Sequence, residues 1–205
     1  FLLLTALTLS FPQAPDAAAL SKQAKAAMTS GRYGDAARIY RELLRLYPED
    51  PGLKFNLGMA EFQAGNFRGA IPQLKAAVKA QPKLAPAWLV LGMAHLKLDE
   101  PAAAVDPLER SVGLEPRNPL AVFELADTLL SLKRFDDATA HFQALADLDP
   151  KDPRAWYGLG RCHLGLMRQA FDRLEQTAPG TPWHAALLGR SRLEQQQFGS
   201  AYYCF

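Results

Sequence analysis

Few side chains in this sequence have the chemistry to bind a metal ion or to act as nucleophiles. Its 205 residues include two cysteines and four histidines, the latter being His95, His141, His163 and His184. Cys162 and His163 are adjacent, so on a helix they point to different faces and cannot chelate one ion together. The histidines are therefore predicted to be half-buried packing residues, and Cys162 is predicted to be a buried, inert thiol.

The sequence also lacks the short motifs that accompany catalysis or phosphate binding. It contains no Gly-rich phosphate loop, no HExxH or GxSxG motif and no paired catalytic carboxylates. Gly158-Leu159-Gly160 falls inside a predicted helix, where glycines serve close packing. The sequence therefore predicts a protein that is not an enzyme and that uses no metal and no cofactor.

Composition narrows the kinds of partner. The formal net charge is +2, and 49% of the residues are apolar. A charge this close to neutral gives no electrostatic reason to expect nucleic acid or an acidic membrane surface. Two thiols, at Cys162 and Cys204, do not define a disulfide framework. The expected partner is a protein or peptide segment, with no nucleic acid and no small-molecule substrate.

The elements that would carry a binding site are set by an internal repeat. Leu-Gly or Leu-Ala pairs begin at positions 57, 91, 125 and 159, so they recur at a constant spacing. The stretch 85–118 shows the remaining recurring residues most fully: Trp88, Leu91, Gly92, Ala104, Leu108 and Pro116. This pattern and its period resemble the tetratricopeptide repeat, in which each copy is a helix-turn-helix unit. The resemblance implies an all-α fold, a right-handed α-solenoid of antiparallel helix pairs.

The repeat frame predicts how the chain is divided. Residues 1–16 precede the repeats, and copies are expected at 17–50, 51–84, 85–118, 119–152, a shortened 153–181 and a truncated 182–205. The chain starts at Phe1 without a methionine and stops inside an apolar, helix-like run. Both ends are therefore expected to be cut from something longer.

Small residues at recurring places predict where the two helices of a copy cross. Gly58, Gly92 and Gly160 are expected opposite Ala70, Ala104 and their equivalents, because bulk there would push the helices apart. Two prolines fall in the second turn of their helices, where each removes a backbone hydrogen bond, and they are expected to bend these helices without breaking them. These are Pro72 and Pro107.

The joints between copies share one pattern. Asp50, Asn118, Asp152 and Thr181 are residue types that cap helix N-termini, and each is followed by a proline. Proline suits the first helical position because its missing N–H has no partner there in any case. Helices are therefore predicted to begin directly after these four residues.

The copy at 153–181 departs from the frame. Its Leu-Gly pair at 159 is followed by Leu188-Gly189, which comes five positions sooner than the constant spacing predicts. Phe171, Leu174 and Pro179 still match the second helix of a copy. The deletion is placed in the turn, and a tight turn over 164–168 between two shortened helices is predicted.

The first eleven residues are apolar and uncharged, and they are too short to span a bilayer. Two prolines and small residues follow, as in the tail of a secretory signal peptide. The segment therefore predicts export to the periplasm or the medium. The alternative is an apolar segment that packs on the first repeat, in which case the protein is expected in the cytoplasm.

The predicted site is the surface that the resemblance assigns to a concave groove. In this family the first helices of the copies line the groove, where partners commonly bind. The residues that project from them are mostly apolar, and contiguous apolar surface usually marks a binding site. They are Phe55, Met59, Phe62, Leu89, Met93, Leu96, Phe123, Asp127, Leu130, Tyr157, Arg161, Leu164 and Arg190.

Three interpretations of this surface remain open. The first is a non-catalytic scaffold for protein–protein interaction that binds a peptide segment in the groove. The second is a repeat module of a longer enzyme or of a secretion or assembly machine, with the chemistry outside this stretch. The third is self-association. The alternative to any partner is that tight superhelical curvature, or the chain's own N-terminal segment, covers part of this surface. The Lys and Asn clamp that some members use for a peptide carboxylate is not matched, and that activity is not expected here.

Overall fold

The computed structural model describes residues 16–184 and 186–187. Over these residues the chain forms α-helices joined by short turns, and no strand is present among them. Nine of the helices are α1 (Ala17–Thr29), α2 (Tyr33–Leu46), α3 (Pro51–Gln63), α4 (Phe67–Ala80), α5 (Ala85–Lys97), α6 (Pro101–Leu114), α7 (Pro119–Ser131), α8 (Phe135–Leu148) and α9 (Pro153–Thr177), and residues 182–184 and 186–187 are helical as well. This confirms the predicted all-α fold. Residues 185 and 188–205 of the truncated copy and the residues before Asp16 lie outside the described residues.

The helices begin where the sequence supplies capping side chains. The carboxylate of Asp50 accepts a hydrogen bond from the Leu53 N–H at 2.9 Å, and Asn118 accepts from Leu120 and Ala121 at 3.2 Å. The hydroxyl of Thr181 likewise accepts from the His184 N–H at 3.3 Å. These bonds satisfy backbone donors that have no partner inside the helix. The predicted caps are confirmed at these three residues, and Asp152 caps α9 in the same way.

The turns inside the pairs share one backbone conformation. The residue that reverses the chain has a positive φ at Gly31, Gly65, Asp99 and Lys133, which recur at the same spacing as the Leu-Gly pairs. Glycine adopts this conformation freely, whereas Asp and Lys are strained in it. The repeat therefore sets the turn geometry even where the residue type does not favour it.

The chain divides into two compact units, one ending at Leu98 and the other beginning at Asp99. In the first unit α1 to α5 pack in sequence, and α3 also contacts α5. Its buried residues form two clusters. One contains Ala36, Tyr40 and Leu57, and the other contains Leu74 and Leu91.

The predicted crossing at Gly58 is confirmed. A Cβ built on Gly58 would lie 2.7 Å from Cγ of Leu74 and 3.4 Å from the carbonyl oxygen of Ala70. A side chain there would require Leu74 to shift, and Leu74 is fully buried. The two prolines inside helices do not break them, since α4 continues past Pro72 and α6 past Pro107.

The second unit contains α6 to α9, and its core lies between α7, α8 and α9. Leu125, Phe142 and Leu145 are almost wholly buried there. The rings of Phe123 and Phe142 meet edge to face, with 6.4 Å between their centroids.

The predicted turn over 164–168 is wrong. These residues lie inside α9, which runs without a break from Pro153 to Thr177. The deletion removed the positive-φ residue that reverses the chain in the other pairs, and the leucine, methionine and arginine residues that remain favour helix. Gly165 serves packing instead, because a Cβ built on it would lie 2.4 Å from the ring of Phe135.

The continuous helix also corrects the prediction for Gly160. A Cβ built there meets no described atom within 4 Å, so Gly160 is not at a helix crossing. The close contact lies nearer the start of the helix, where a Cβ on Gly158 would be 2.3 Å from the ring of Phe142. The reason is that α9 does not turn back, so the second half of the copy does not lie over Gly160.

Candidate functional site

The first unit presents part of the predicted groove on α3 and α5. Phe55, Met59 and Phe62 follow one another at helical spacing along α3 and are half-buried, packed against the cluster that contains Leu74 and Leu91. Met93 and Leu96 hold matching places on α5 and are half-buried as well. Leu89 is different, since only 8% of it is exposed and it belongs to the core. The accessible set, here called the first-unit surface, is Phe55, Met59, Phe62, Met93 and Leu96.

The α7 part of the groove is less open than the sequence predicted. Leu130 is only 5% exposed, so it supports the core and is not accessible to a partner. Phe123 is half-buried, and the guanidinium carbon of Arg154 lies 4.7 Å from its ring centroid. Asp127 is exposed. On α7 the groove therefore offers a carboxylate and a covered aromatic ring, with little free apolar surface.

Arg154 is the residue that the sequence analysis missed. Its guanidinium donates hydrogen bonds to both carboxylate oxygens of Asp152, the shortest at 2.7 Å. These bonds lower the pKa of the Asp152 carboxyl and raise the pKa of Arg154. The Asp-Pro-Arg sequence at the start of α9 was the available signal, but it does not show that the arginine also covers Phe123.

The most exposed members of the predicted groove lie on α9. Tyr157 is 70% exposed and Leu164 is 61% exposed, and Arg161 is exposed between them. The guanidinium carbon of Arg161 lies 5.8 Å from the centroid of the Tyr157 ring, within the range of a cation–π contact. Trp156, which was not predicted as a site residue, is 54% exposed beside them. Arg190 lies outside the described residues.

The titratable and nucleophilic groups do not form a reaction centre among the described residues. Burial raises the pKa of the Cys162 thiol, which keeps it protonated. Burial also lowers the pKa of His141, so this imidazole is neutral near pH 7. His95 is buried, whereas His163 is exposed, so the prediction of half-buried histidines is wrong for these two. In the described part of the chain, no three His, Cys, Asp or Glu side chains are grouped to hold a metal ion. No helix there is long and apolar enough to cross a membrane.

Comparison with known sequences identifies the family. One profile described as tetratricopeptide repeat matches residues 3–51, 21–82 and 55–119, and a second with the same description matches 95–162. The first alone covers more than half of the chain. The chain belongs to the tetratricopeptide repeat family. Proteins of this fold are typically non-catalytic interaction modules.

Solved structures show the same fold. The crystal structure of MamA matches with a TM-score of 0.69 and 24% identity, over 80% of this chain and 94% of that one. YrrB, described as a TPR protein with an unusual peptide-binding site, matches at 0.68 and 20%, over 86% and 92%. The first TPR of Spaghetti (RPAP3), bound to the HSP90 peptide SRMEEVD, matches at 0.55 and 26%, over 58% and 95%. The family and these neighbours support a protein-interaction scaffold.

One curated relative is much longer than this chain. It is the cellulose synthase 2 operon protein C of Komagataeibacter xylinus, which is 38% identical over 66 residues. The matched stretch is 32% of this chain and only 5% of the relative. This similarity therefore concerns about two repeats and not the whole relative.

Proposed function

We propose that the chain binds a protein segment through apolar anchors that contact the first-unit surface. The observation that carries this proposal is that two aromatic rings, two methionines and a leucine hold matching places on α3 and α5 and remain partly accessible. Methionine adapts its shape to different partners, and apolar surface of this kind favours association. The peptide-bound neighbour Spaghetti (RPAP3) supports a peptide ligand for this fold.

In the second unit the exposed charges provide selectivity. Arg161 is held over the Tyr157 ring, so its guanidinium is partly oriented before a ligand arrives. Guanidinium groups bind carboxylates through two parallel hydrogen bonds, and Arg161 therefore favours an acidic residue or a chain terminus. Asp127 is exposed and favours a basic or hydrogen-bonding group.

The test is selection from a phage-displayed library of random peptides, followed by affinity measurement with substituted proteins. Met93→Glu is expected to weaken binding at every salt concentration, because it removes apolar contact. Lys97→Glu on the same helix is the matched control, because Lys97 is exposed and lies outside the first-unit surface. Arg161→Ala is expected to weaken binding mainly at low salt, since exposed ion pairs are screened.

Two results would contradict the proposal. The first is a library that yields no peptide with apolar anchors. The second is a bound peptide whose affinity is the same for the parent protein, Met93→Glu and Arg161→Ala, which would place binding on another face. Circular dichroism of Met93→Glu is needed to show that the helices persist. SRMEEVD is a useful comparison ligand, and weak binding is expected because the Lys and Asn clamp is absent.

A second function is favoured by the length of the curated relative. We propose that these repeats are the interaction part of a longer assembly protein, because the stretch that they match is only 5% of the curated relative. Recovery of the full reading frame tests this. A frame that encodes these repeats alone would overturn it.

Export also remains a proposal. It is based on the apolar segment at 1–11, which lies outside the described residues. Fusion of the full reading frame, from its start codon through Leu20, to alkaline phosphatase lacking its own leader gives the test, because that enzyme is active only after export. An inactive fusion would overturn the proposal.

A further inference from the structure

The outer face of α9 carries an apolar stripe of which the predicted groove includes only Tyr157 and Leu164. Its members are separated by three or four residues in turn, so they lie on one side of the helix. They are Tyr157, Gly160, Leu164, Met167, Phe171 and Leu174. Spacing of this kind over successive heptads is typical of helices that pair with another helix.

The stripe lies on the side of α9 that faces away from α8. The opposite side of α9 packs on α8, where Gly158 meets Phe142 and Gly165 meets Phe135. On the outer side Tyr157, Leu164 and Met167 are 70%, 61% and 39% exposed. The described residues leave this face open from Tyr157 to Met167. At its C-terminal end Phe171 and Leu174 are half-buried, and the ring centroid of His184 lies 5.7 Å from that of Phe171.

The other copies show what normally covers such a face. In the α3–α4 pair, Gly58 of the first helix lies against Leu74 of the second. Once the deletion is allowed for, the equivalents of these two residues are Gly160 and Phe171. Both lie on the same straight helix, eleven residues apart, which is about 16 Å at 1.5 Å per residue. They therefore cannot contact each other within one chain.

We propose that a second copy of this chain covers the stripe, with its α9 antiparallel to the first. The two-fold axis crosses the paired helices at the height of Gly165 and Leu166 along α9. Gly160 of each copy then faces Phe171 of the other, which places a large ring against a position without a side chain. The two remaining layers pair Tyr157 with Leu174 and Leu164 with Met167. The second copy restores the contact between the halves of the repeat that the missing turn prevents in one chain.

The sequence of the stripe favours a second copy over an unrelated helix. The same six residues form both sides of the contact, and they match each other only when one helix is reversed. A contact of this kind is self-complementary and closes after two copies, so it gives a dimer and not a filament. The inference does not depend on the peptide-binding proposal, although the dimer would cover Tyr157 and Leu164.

The charges beside the stripe indicate that the dimer is weak. Antiparallel pairing brings Arg161 of one copy near Arg168 of the other, and this happens twice across the two-fold axis. Both arginines are exposed. Like charges on neighbouring helices are mildly unfavourable. Replacing Arg168 by glutamate makes both pairs attractive.

The first test is sedimentation velocity of the full chain over a range of concentrations. A concentration-dependent dimer is expected for the parent protein, and Leu164→Glu should abolish it. Leu114→Glu is the matched control, since Leu114 is an exposed leucine on α6, away from the stripe. Arg168→Glu should tighten the dimer several-fold at low salt and lose that gain at high salt.

The second test fixes the direction of pairing by disulfide cross-linking, in a background without Cys204. The double variant Gly160→Cys with Phe171→Cys should form a covalent dimer on oxidation, whereas Gly160→Cys alone should not. Cross-linking of the single variant would show parallel helices and overturn the proposed arrangement. A parent protein that stays monomeric at all concentrations, with Leu164→Glu identical to it, would overturn the dimer. In that case the stripe is covered by residues 188–205 or by a different partner.

Discussion

The same substitution, glycine to alanine, is expected to have opposite effects at two positions within one turn of α9. At Gly158 the new methyl carbon would lie 2.3 to 2.4 Å from three atoms of the Phe142 ring. At Gly160 it would meet no atom of the described residues within 4 Å. Both residues are inside the helix, so alanine gains the same helical propensity at each. Only the surroundings differ.

The structure sets the size of the two effects. Alanine is favoured over glycine inside a helix by about 1 kcal/mol, and this is the expected gain at Gly160. At Gly158 the ring of Phe142 is only 1% exposed and cannot move aside into solvent. Overpacking of a filled core costs about 1–3 kcal/mol. After the propensity gain is subtracted, Gly158→Ala should lower the free energy of unfolding by about 0–2 kcal/mol.

The assay is urea unfolding followed by circular dichroism at low protein concentration, where the chain is monomeric. Gly165→Ala provides an intermediate case, because its neighbour Phe135 is half-buried and its ring has room to turn. The urea midpoint should therefore be highest for Gly160→Ala, followed in order by the parent protein, Gly165→Ala and Gly158→Ala. If Gly158→Ala unfolds at the same midpoint as Gly160→Ala, α9 does not pack on α8 as described.

Three further outcomes follow from single positions, each to be measured by the same unfolding assay. Ala104→Leu should lower stability by about 1–3 kcal/mol, because Ala104 is fully buried and has no room for a larger side chain; an unchanged midpoint would be incompatible with that packing. Lys133→Gly should raise stability by about 1 kcal/mol, because Lys133 is exposed and holds a positive φ that glycine adopts without strain; a loss would mean that the lysine side chain is needed. Hydrogen bonds from Arg154 lower the pKa of Asp152 in the folded state, so the stabilising effect of this carboxylate is present above the ordinary pKa of aspartate and is lost as the pH falls through the folded value. Asp152→Asn should therefore be less stable than the parent protein at pH 7, and the difference in stability should shrink in acid. A difference that stays constant with pH would exclude this charge effect.

Much of the fold could be predicted from the sequence because its determinants are local. Asp50 and Asn118 cap helices through atoms two or three residues away, so residue type and position were enough. The contact of Gly58 with α4 could be predicted because small residues recur at that place in the repeat. Which groove residues are accessible could not be predicted in the same way. Leu89 and Leu130 hold the same kind of place as Met93, yet both are buried.

The copy at 153–181 separates what the sequence determined from what only the tertiary structure decided. The sequence determined that 169–177 is helical and apolar on one side, since Phe171 and Leu174 keep the spacing of a second helix. The same spacing fits a helix that turns back and a helix that continues, so the pattern did not distinguish between them. In the structure the helix continues through 164–168, because the missing residues include the one whose positive φ reverses the chain in the other pairs. That outcome leaves Gly160 on an open face, where the repeat pattern had placed a buried crossing.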